Sequence, residues 1–249
     1  MLLQDDLSLI TPLLENTSVI VVTYNNKYQM EKLFKFNLCG NIEHFTGLAF
    51  TRNLEGHPDS FNRCRPVNGL SGVCFAVKSG SYRKLGGFDE NFFLYMEDVE
   101  FSWRILSRGL KILYVPTAVV CHDYKLDVNP EKIYYLETGR YMILRKYMSW
   151  KEYLILAPSL IMSEVLTWGY SILIGGVKFK LKAVKDGLTV DVEKEESSNL
   201  EKSSNLLKSL DWEIPEEQLH YSFIDTAVKR FANFVYWLNY KIFMGRKDL

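Results

Sequence analysis

LGGFDENFFLYMEDVEFSWR, residues 85–104, carries more chemistry than any other stretch of this chain. Gly86 and Gly87 predict a turn, because glycine takes backbone angles closed to residues with a Cβ. Phe88, Phe92, Phe93 and Tyr95 are large enough to wall a pocket. Glu97 and Asp98 then open a helix, where partly positive N–H groups favour carboxylates. Val99, Trp103 and Leu106 recur at helical spacing and predict its apolar side, with Arg104 and Arg108 on other faces. An ordinary helix start with two capping acids is the plain alternative. The Gly-Gly turn and the aromatic run beside those acids point instead to a site.

The stretch closely resembles the acceptor side of family 2 glycosyltransferases, inverting enzymes of the GT-A fold, and in particular rhamnosyltransferase-like members. Their pattern there is approximately GGFDE-x-FF-x-Y-x-ED-x-(D/E)-x-x-x-R, and the match is nearly complete. The resemblance implies that Asp98 is the catalytic base and that Glu97 orients the acceptor or tunes Asp98, since adjacent acids raise each other's proton affinity. It also implies that Gly72, Asp89, Tyr95 and Arg104 serve substrate binding, with Arg104 paired to an acid or to the diphosphate. Trp103 reads as packing. Upstream, residues 67–77 (VNGLSGVCFAV) resemble the strand that precedes the aromatic loop by a short helix. Downstream, LYVP (113–116) and AVVCH (118–122) resemble a strand element that contains a proline, suited to an edge or a bend, and ends on a histidine. A lone histidine is commonly a surface or core residue; the register here implies a metal or diphosphate role for His122.

The remaining metal ligands should come from an Asp-x-Asp-like motif at a strand end. Gln4-Asp5-Asp6 fits with Gln in the first place and Asp6 in the last. A hard divalent ion, Mg²⁺ or Mn²⁺, wants carboxylate oxygens there. Asp5 and Asp6 thus become the cofactor-binding candidates and Asp6 and His122 the metal ligands; two acids in a loose N-terminus are the bland alternative. A competing alignment makes residues 18–26 (SVIVVTYNN) the family's opening strand. No Asp-x-Asp follows between Asn26 and Gly86, where Asp59 is the one aspartate. Residues 18–24 are therefore read as a later sheet strand, and 39–50 as the family's middle loop. On that reading the N-terminal half that grips the nucleotide is expected to be missing, and a separate chain is one expected source of it.

Composition agrees. At 249 residues the chain can bury one sizeable core with an appendage. Thirty Lys and Arg balance thirty Asp and Glu, which argues against a general nucleic-acid binder. Cys39, Cys64, Cys74 and Cys121 lack zinc-ligand spacing and read as reduced thiols. Met1 leads at once into acids, unlike a signal peptide, and no internal repeat is visible.

Character changes after Trp150. Residues 153–177 carry one charge, Glu164, and are long enough to cross a hydrocarbon layer of roughly 30 Å. Pro158, Glu164 and Gly175-Gly176 favour a helix lying in the interface or re-entering it. Basic residues stand on both sides, Arg140, Arg145, Lys146 and Lys151 before, Lys178, Lys180, Lys182 and Lys185 after. That symmetry suits an anionic leaflet better than a single span. A buried helical hairpin is the soluble alternative. A polar, mobile linker is expected from Asp191. Phe223, Ala227, Phe231, Phe234, Leu238 and Ile242 then predict the apolar face of an amphipathic helix over 222–244, which docks on the protein or joins the membrane contact.

The expected architecture is α/β: a partial, Rossmann-like, three-layer GT-A domain (1–150), a membrane-associated helical segment (151–190), a linker (191–215) and a C-terminal helix (216–249). The expected activity is inverting transfer of a sugar from a nucleotide-diphosphate sugar to an acceptor hydroxyl, in cell-surface glycan synthesis at the cytoplasmic face of the membrane. The acceptor is a glycan or a lipid-linked sugar. The alternative is a non-catalytic acceptor-binding or partner-dependent module.

Overall fold

The computed structural model describes residues 20–28, 36–52, 63–122, 129–195, 205–216, 218 and 223–245. Within these the chain is a mixed α/β protein that divides into two compact units.

The first unit is organised by a sheet of order β2-β1-β7-β5, with β6 also paired to β1. Strand β1 (Ile20–Tyr28) is rich in β-branched residues, which fit a pleated surface. It runs parallel to β7 (Lys111–His122). Strands β2 (Phe36–Leu38), β5 (Arg65–Val67) and β6 (Phe75–Ala76) are antiparallel additions. The expected strand at 18–24 is thus present as β1 from Ile20 onward. The two downstream pieces form one strand, and Pro116 falls where its register against β1 slips: Tyr24 faces Val115 but Asn25 faces Val119. His122 ends that strand.

Residues 67–77 are not one strand, as the sequence predicts, but the ends of β5 and β6 joined by a loop. The reason lies in Asn68 and Gly69. Asn68 Oδ1 accepts from the Glu43 N–H at 3.2 Å while its Nδ2 donates to the Glu43 carbonyl, pulling the chain onto β3 (Asn41–Glu43). A Cβ on Gly69 would lie 2.7 Å from Asn41 Cβ, so only glycine permits the approach. Strand β3 pairs with β4 (Ala49–Thr51) in a separate hairpin. Helix α1 (Ser79–Leu85) and helix α2 (Glu97–Ser107) complete the unit. Val67, Leu70, Leu85, Phe101, Ile105, Ile112 and Tyr114 form its core with Cys39. Among the described residues Cys39, Cys64 and Cys74 are in no disulfide.

The second unit is helical: α3 (Pro130–Tyr147), α4 (Trp150–Leu173), α5 (Val177–Thr189) and α6 (Phe223–Gly245). Asn129 caps α3, with Pro130 in its first turn. Ser149 and Glu152 form a reciprocal capping box at the start of α4. The predicted interruption at Pro158 is absent, and α4 runs through it. Asn239 of α6 supplies the reason. Its Nδ2 donates to the Ile155 carbonyl at 2.8 Å and its Oδ1 accepts from the Ser159 N–H at 3.2 Å, groups that a regular helix pairs with each other. Gly175, at φ +71°, ends the helix as expected.

The basic flanks and the linker differ from expectation. The basic flanks are not all offered to solvent: Arg140 and Lys180 are buried in ion pairs with Glu137 and Glu164, and Lys146 is buried too. A desolvated cation requires such partners. The expected linker (191–215) is in part packed structure, since Leu206, Leu207, Leu210 and Ile214 are buried. Helix α6 does not dock on the protein by its apolar stripe. Its buried side is Lys229, Ala232, Tyr236, Asn239 and Phe243, while Phe231 (61 % exposed), Phe234 (55 %), Leu238 and Ile242 face outward.

Candidate functional site

Asp98 stands in the first turn of α2, and three donors converge on its half-exposed carboxylate. Oδ1 accepts from the Val99 N–H at 2.9 Å. Oδ2 accepts from the Gly72 N–H at 2.9 Å and, at 3.4 Å, from Asn41 Nδ2. The helix start adds the favourable end of its dipole. Ser102 fastens the same corner: its hydroxyl donates to the Asp98 carbonyl at 2.7 Å and accepts from the Leu70 N–H at 3.0 Å. Loop 68–72 and the first turn of α2 are thereby one rigid piece, with the carboxylate fixed in direction.

Asn41 escaped the sequence reading. Residues 39–50 were read there as a loop of the family, yet nothing in an isolated Cys-Gly-Asn says that its amide reaches a residue so far along the chain. Gly72 is placed beside Asp98, as a partner of the carboxylate through its N–H.

Arg104 pairs with an acid, Glu100, one of the two partners expected of it. It is buried, ion-paired with Glu100, and donates from Nη1 to the carbonyls of Leu85 at 2.9 Å and Gly87 at 2.7 Å. Its described contacts therefore hold the Gly86-Gly87 turn, where both glycines have positive φ (+89° and +71°). The pairing also explains why α2 is buried nearly all round, with Glu100 and Arg104 inside, instead of amphipathic as its spacing predicts. Trp103 is fully buried, as expected of a packing residue. Phe88 packs edge-on against Phe75, Tyr82 and Phe101. Asp89 follows the turn and is half-exposed.

In the second unit, Tyr95 and Met96 both adopt left-handed backbone angles, φ +59° and +64°. Side chains with a Cβ pay roughly 1–2 kcal/mol per residue for that conformation. Two in succession immediately before Glu97-Asp98 mark a turn held against its own preference, a pattern that gathers at functional sites. Met96 is locked by packing: a Cβ on Gly139 of α3 would fall 2.6 Å from its Cβ. Tyr95 is left exposed near Tyr135, with Lys132 Nζ 4.9 Å from its ring centre, and Phe93 is 85 % exposed. Glu97 is half-buried, and its Oε2 is buried without a hydrogen-bond partner among the described residues. A buried carboxylate oxygen in that state costs about 1–3 kcal/mol or more.

The expected metal set is a different matter. Asp5 and Asp6 lie outside the described residues, as does the His122 side chain. Among the described residues no three His, Cys, Asp or Glu side chains gather to hold an ion.

No protein-family model matches the chain. Over 58 residues it is 47 % identical to the N-acetylglucosaminyl-diphospho-decaprenol L-rhamnosyltransferase of Mycobacterium tuberculosis, covering 23 % of this chain and 19 % of that protein. Over 63 residues it is 34 % identical to the pre-mycofactocin glycosyltransferase of the same organism, covering 25 % and 13 %. Both relatives are glycosyltransferases. The chain spans less than a fifth of the length of either. Among solved structures it is similar to GalNAc-T7 with UDP, GalNAc and Mn²⁺, at a TM-score of 0.43 and 16 % identity over 67 % of this chain and 32 % of that one.

Proposed function

We propose that the chain transfers a sugar from a nucleotide-diphosphate sugar to an acceptor hydroxyl, with inversion at the anomeric carbon. The observation that carries this reading is the fixed carboxylate of Asp98 at the start of α2, two residues beyond a pair of left-handed, non-glycine positions. The short segments shared with two glycosyltransferases support it.

Asp98 is the general base. As the acceptor oxygen attacks the anomeric carbon, its proton passes to an Asp98 carboxylate oxygen, and the carbon–oxygen bond to the diphosphate breaks with its electron pair leaving on the nucleotide. A single displacement from the opposite face inverts the configuration. Gly72 and Asn41 hold the base in direction, so that little reorientation is needed when the hydroxyl arrives. Glu97 orients the acceptor or tunes Asp98. Tyr95 and Asp89 shape the acceptor side, and Arg104 positions the Gly-Gly turn.

The resemblance assigns Mg²⁺ or Mn²⁺ to Asp5, Asp6 and His122; such an ion would offset charge on the departing diphosphate. The nearest biological setting is synthesis of a cell-surface glycan at the cytoplasmic membrane face, on a glycan or polyprenyl-diphosphate-linked acceptor. Among the described residues one helix, α4, is long and apolar enough to cross a membrane by length and composition.

The test is release of UDP, GDP or dTDP from a panel of nucleotide sugars by the full chain, with and without N-acetylglucosaminyl-diphospho-polyprenol and with Mn²⁺ or EDTA. Acceptor-dependent release with an inverted product supports the reading, and its loss in EDTA supports the metal assignment. Nucleotide binding with no transfer to any acceptor tried would favour the non-catalytic module instead.

A further inference from the structure

Four aromatic rings form a row on the surface of the second unit. Phe93 (85 % exposed) and Tyr95 lie beside Tyr135, at ring-centre distances of 6.5 and 6.3 Å, and Tyr134 continues the row 5.1 Å further on. Met96 holds it from below. It is buried against Gly139 of α3, and with Tyr95 and Met96 both in left-handed angles the residues before them, Phe93 and Leu94, stand out from the surface. Leaving a phenylalanine in water forgoes about 1.5–3 kcal/mol, and the two strained residues add to that cost. A bound ligand would recover it.

Cations edge the row. Lys132 Nζ lies 4.9 Å from the centre of the Tyr95 ring, and Lys182 Nζ, from α5, lies 4.5 Å from that of Tyr134. The negative face of each ring attracts its ammonium group. The Tyr134 hydroxyl donates to Asp186 at 2.8 Å and so occupies the acid one turn beyond Lys182. Lys178 and Lys185 are exposed on the same face of α5 as Lys182. Along α5 and the first turn of α3, Asp186 and Glu131 are the acids that oppose these lysines and Lys132, so the edge is positive.

We infer that this row seats the sugar diphosphate of the acceptor, with the sugar ring against Phe93 and Tyr135 and the diphosphate at Lys182 beside Tyr134. A pyranose has a face of C–H groups, which lies flat on an aromatic ring, and a rim of hydroxyls that water and tyrosine can meet. A diphosphate on the same sugar carries the negative charge that lysine donors bind. An acyl chain or an apolar peptide on the row would have to desolvate Lys132 and Lys182, which is costly. A nucleotide sugar also carries a sugar diphosphate. Tyr95, however, stands three residues before Asp98, the base that receives the acceptor's proton, so the acceptor is the source assigned.

This choice of ligand rests on the transfer reading above. The experiment is calorimetric titration of the full chain with N-acetylglucosaminyl-diphospho-citronellol, a soluble short-chain glycolipid. Citronellyl diphosphate serves as the sugarless probe and UDP-N-acetylglucosamine as the donor probe. The variants are Lys182→Gln, Lys182→Arg, and Phe93→Ser with Tyr135→Ser, each checked for folding by circular dichroism; Lys182 is exposed, so its substitution spares the fold. Lys182→Gln is expected to weaken both citronellyl diphosphates about tenfold, and Lys182→Arg to keep most of the affinity. The double aromatic variant is expected to weaken the glycosylated probe about tenfold and to leave the sugarless one within about twofold. A wild-type chain that does not bind the glycosylated probe, or folded variants that bind it as wild type does, would overturn the inference. Loss of UDP-N-acetylglucosamine affinity in the same variants would assign the row to the donor and overturn it as well. Failure of the transfer reading looks different: the probe binds with the expected variant pattern, yet no sugar is transferred to it, and the row then belongs to a non-catalytic module.

Discussion

Helices α2 and α4 each contain acidic residues that meet cations, but they use them in opposite ways. On α2, Glu100 and Arg104 lie within one helix and inside the protein, and the pair serves to grip the carbonyls of Leu85 and Gly87. Its apolar residues, Val99, Phe101, Trp103 and Ile105, are also inside. On α4, Glu164 reaches out to Arg140 and Lys180 on neighbouring helices, while the apolar residues of α4 turn away from the protein. The first helix is built for water and for holding a carboxylate still. The second keeps polar residues on its packed side and leaves large apolar residues exposed.

The comparison is broken most severely at Arg104. Arg104→Met leaves Glu100 buried without its cation and frees the Gly-Gly turn, an expected loss of about 3–5 kcal/mol in urea denaturation. An unchanged midpoint would mean that the pair does not organise the first unit. In the second unit, burial lowers the pKa of His44 to about 4 from its ordinary 6.5. The folded state therefore favours neutral imidazole. Its contribution is fully present above about pH 6.5 and is lost as pH falls toward 4, on the order of 3 kcal/mol in all. His44→Gln is expected to flatten that acid limb in thermal melts across pH 4–7.

Asn239→Leu comes next, because it orphans the Ile155 carbonyl and the Ser159 N–H in the middle of α4. The expected cost is about 2–3 kcal/mol in detergent, with Pro158→Ala in the same chain recovering part of it. Gly69→Ala sharpens the catalytic side: the new Cβ displaces Asn41 and so loosens Asp98, and transfer is expected to fall about tenfold while the fold loses no more than ~1–3 kcal/mol. Smallest of all, Phe231→Ser on the outward face of α6 is expected to change stability by less than about 0.5 kcal/mol, since its side chain is mostly exposed.

Much of the corner around Asp98 is legible in the sequence because its signals are local. Gly-Gly demands a turn, Glu97-Asp98 starts a helix, and Trp103 packs. The burial of Arg104 is not legible, because spacing assigns it to an outer face and only the nearby Leu85 and Gly87 carbonyls explain why it turns inward. Asn41 is hidden for a related reason: its partner Asp98 is distant in the chain. Periodicity finds the apolar stripe of α6, but which way the stripe turns is set by the polar partners of Lys229, Tyr236 and Asn239, which lie elsewhere in the chain. Pro158 misleads in the same way, since a breaker read from the helix alone ignores an amide that another helix supplies.

The most direct test of the account is transfer by Asp98→Asn, compared with wild type over a panel of UDP, GDP and dTDP sugars, with nucleotide affinity measured by calorimetry on the same preparations. Asparagine keeps the shape and can still accept from the Gly72 N–H, but it cannot take a proton from the acceptor. The account predicts that transfer falls by at least 10³-fold, on the order of 4 kcal/mol in the barrier, while nucleotide affinity stays within about twofold of wild type. Transfer preserved in Asp98→Asn, or nucleotide binding lost together with transfer, would contradict the assignment of Asp98 as the base.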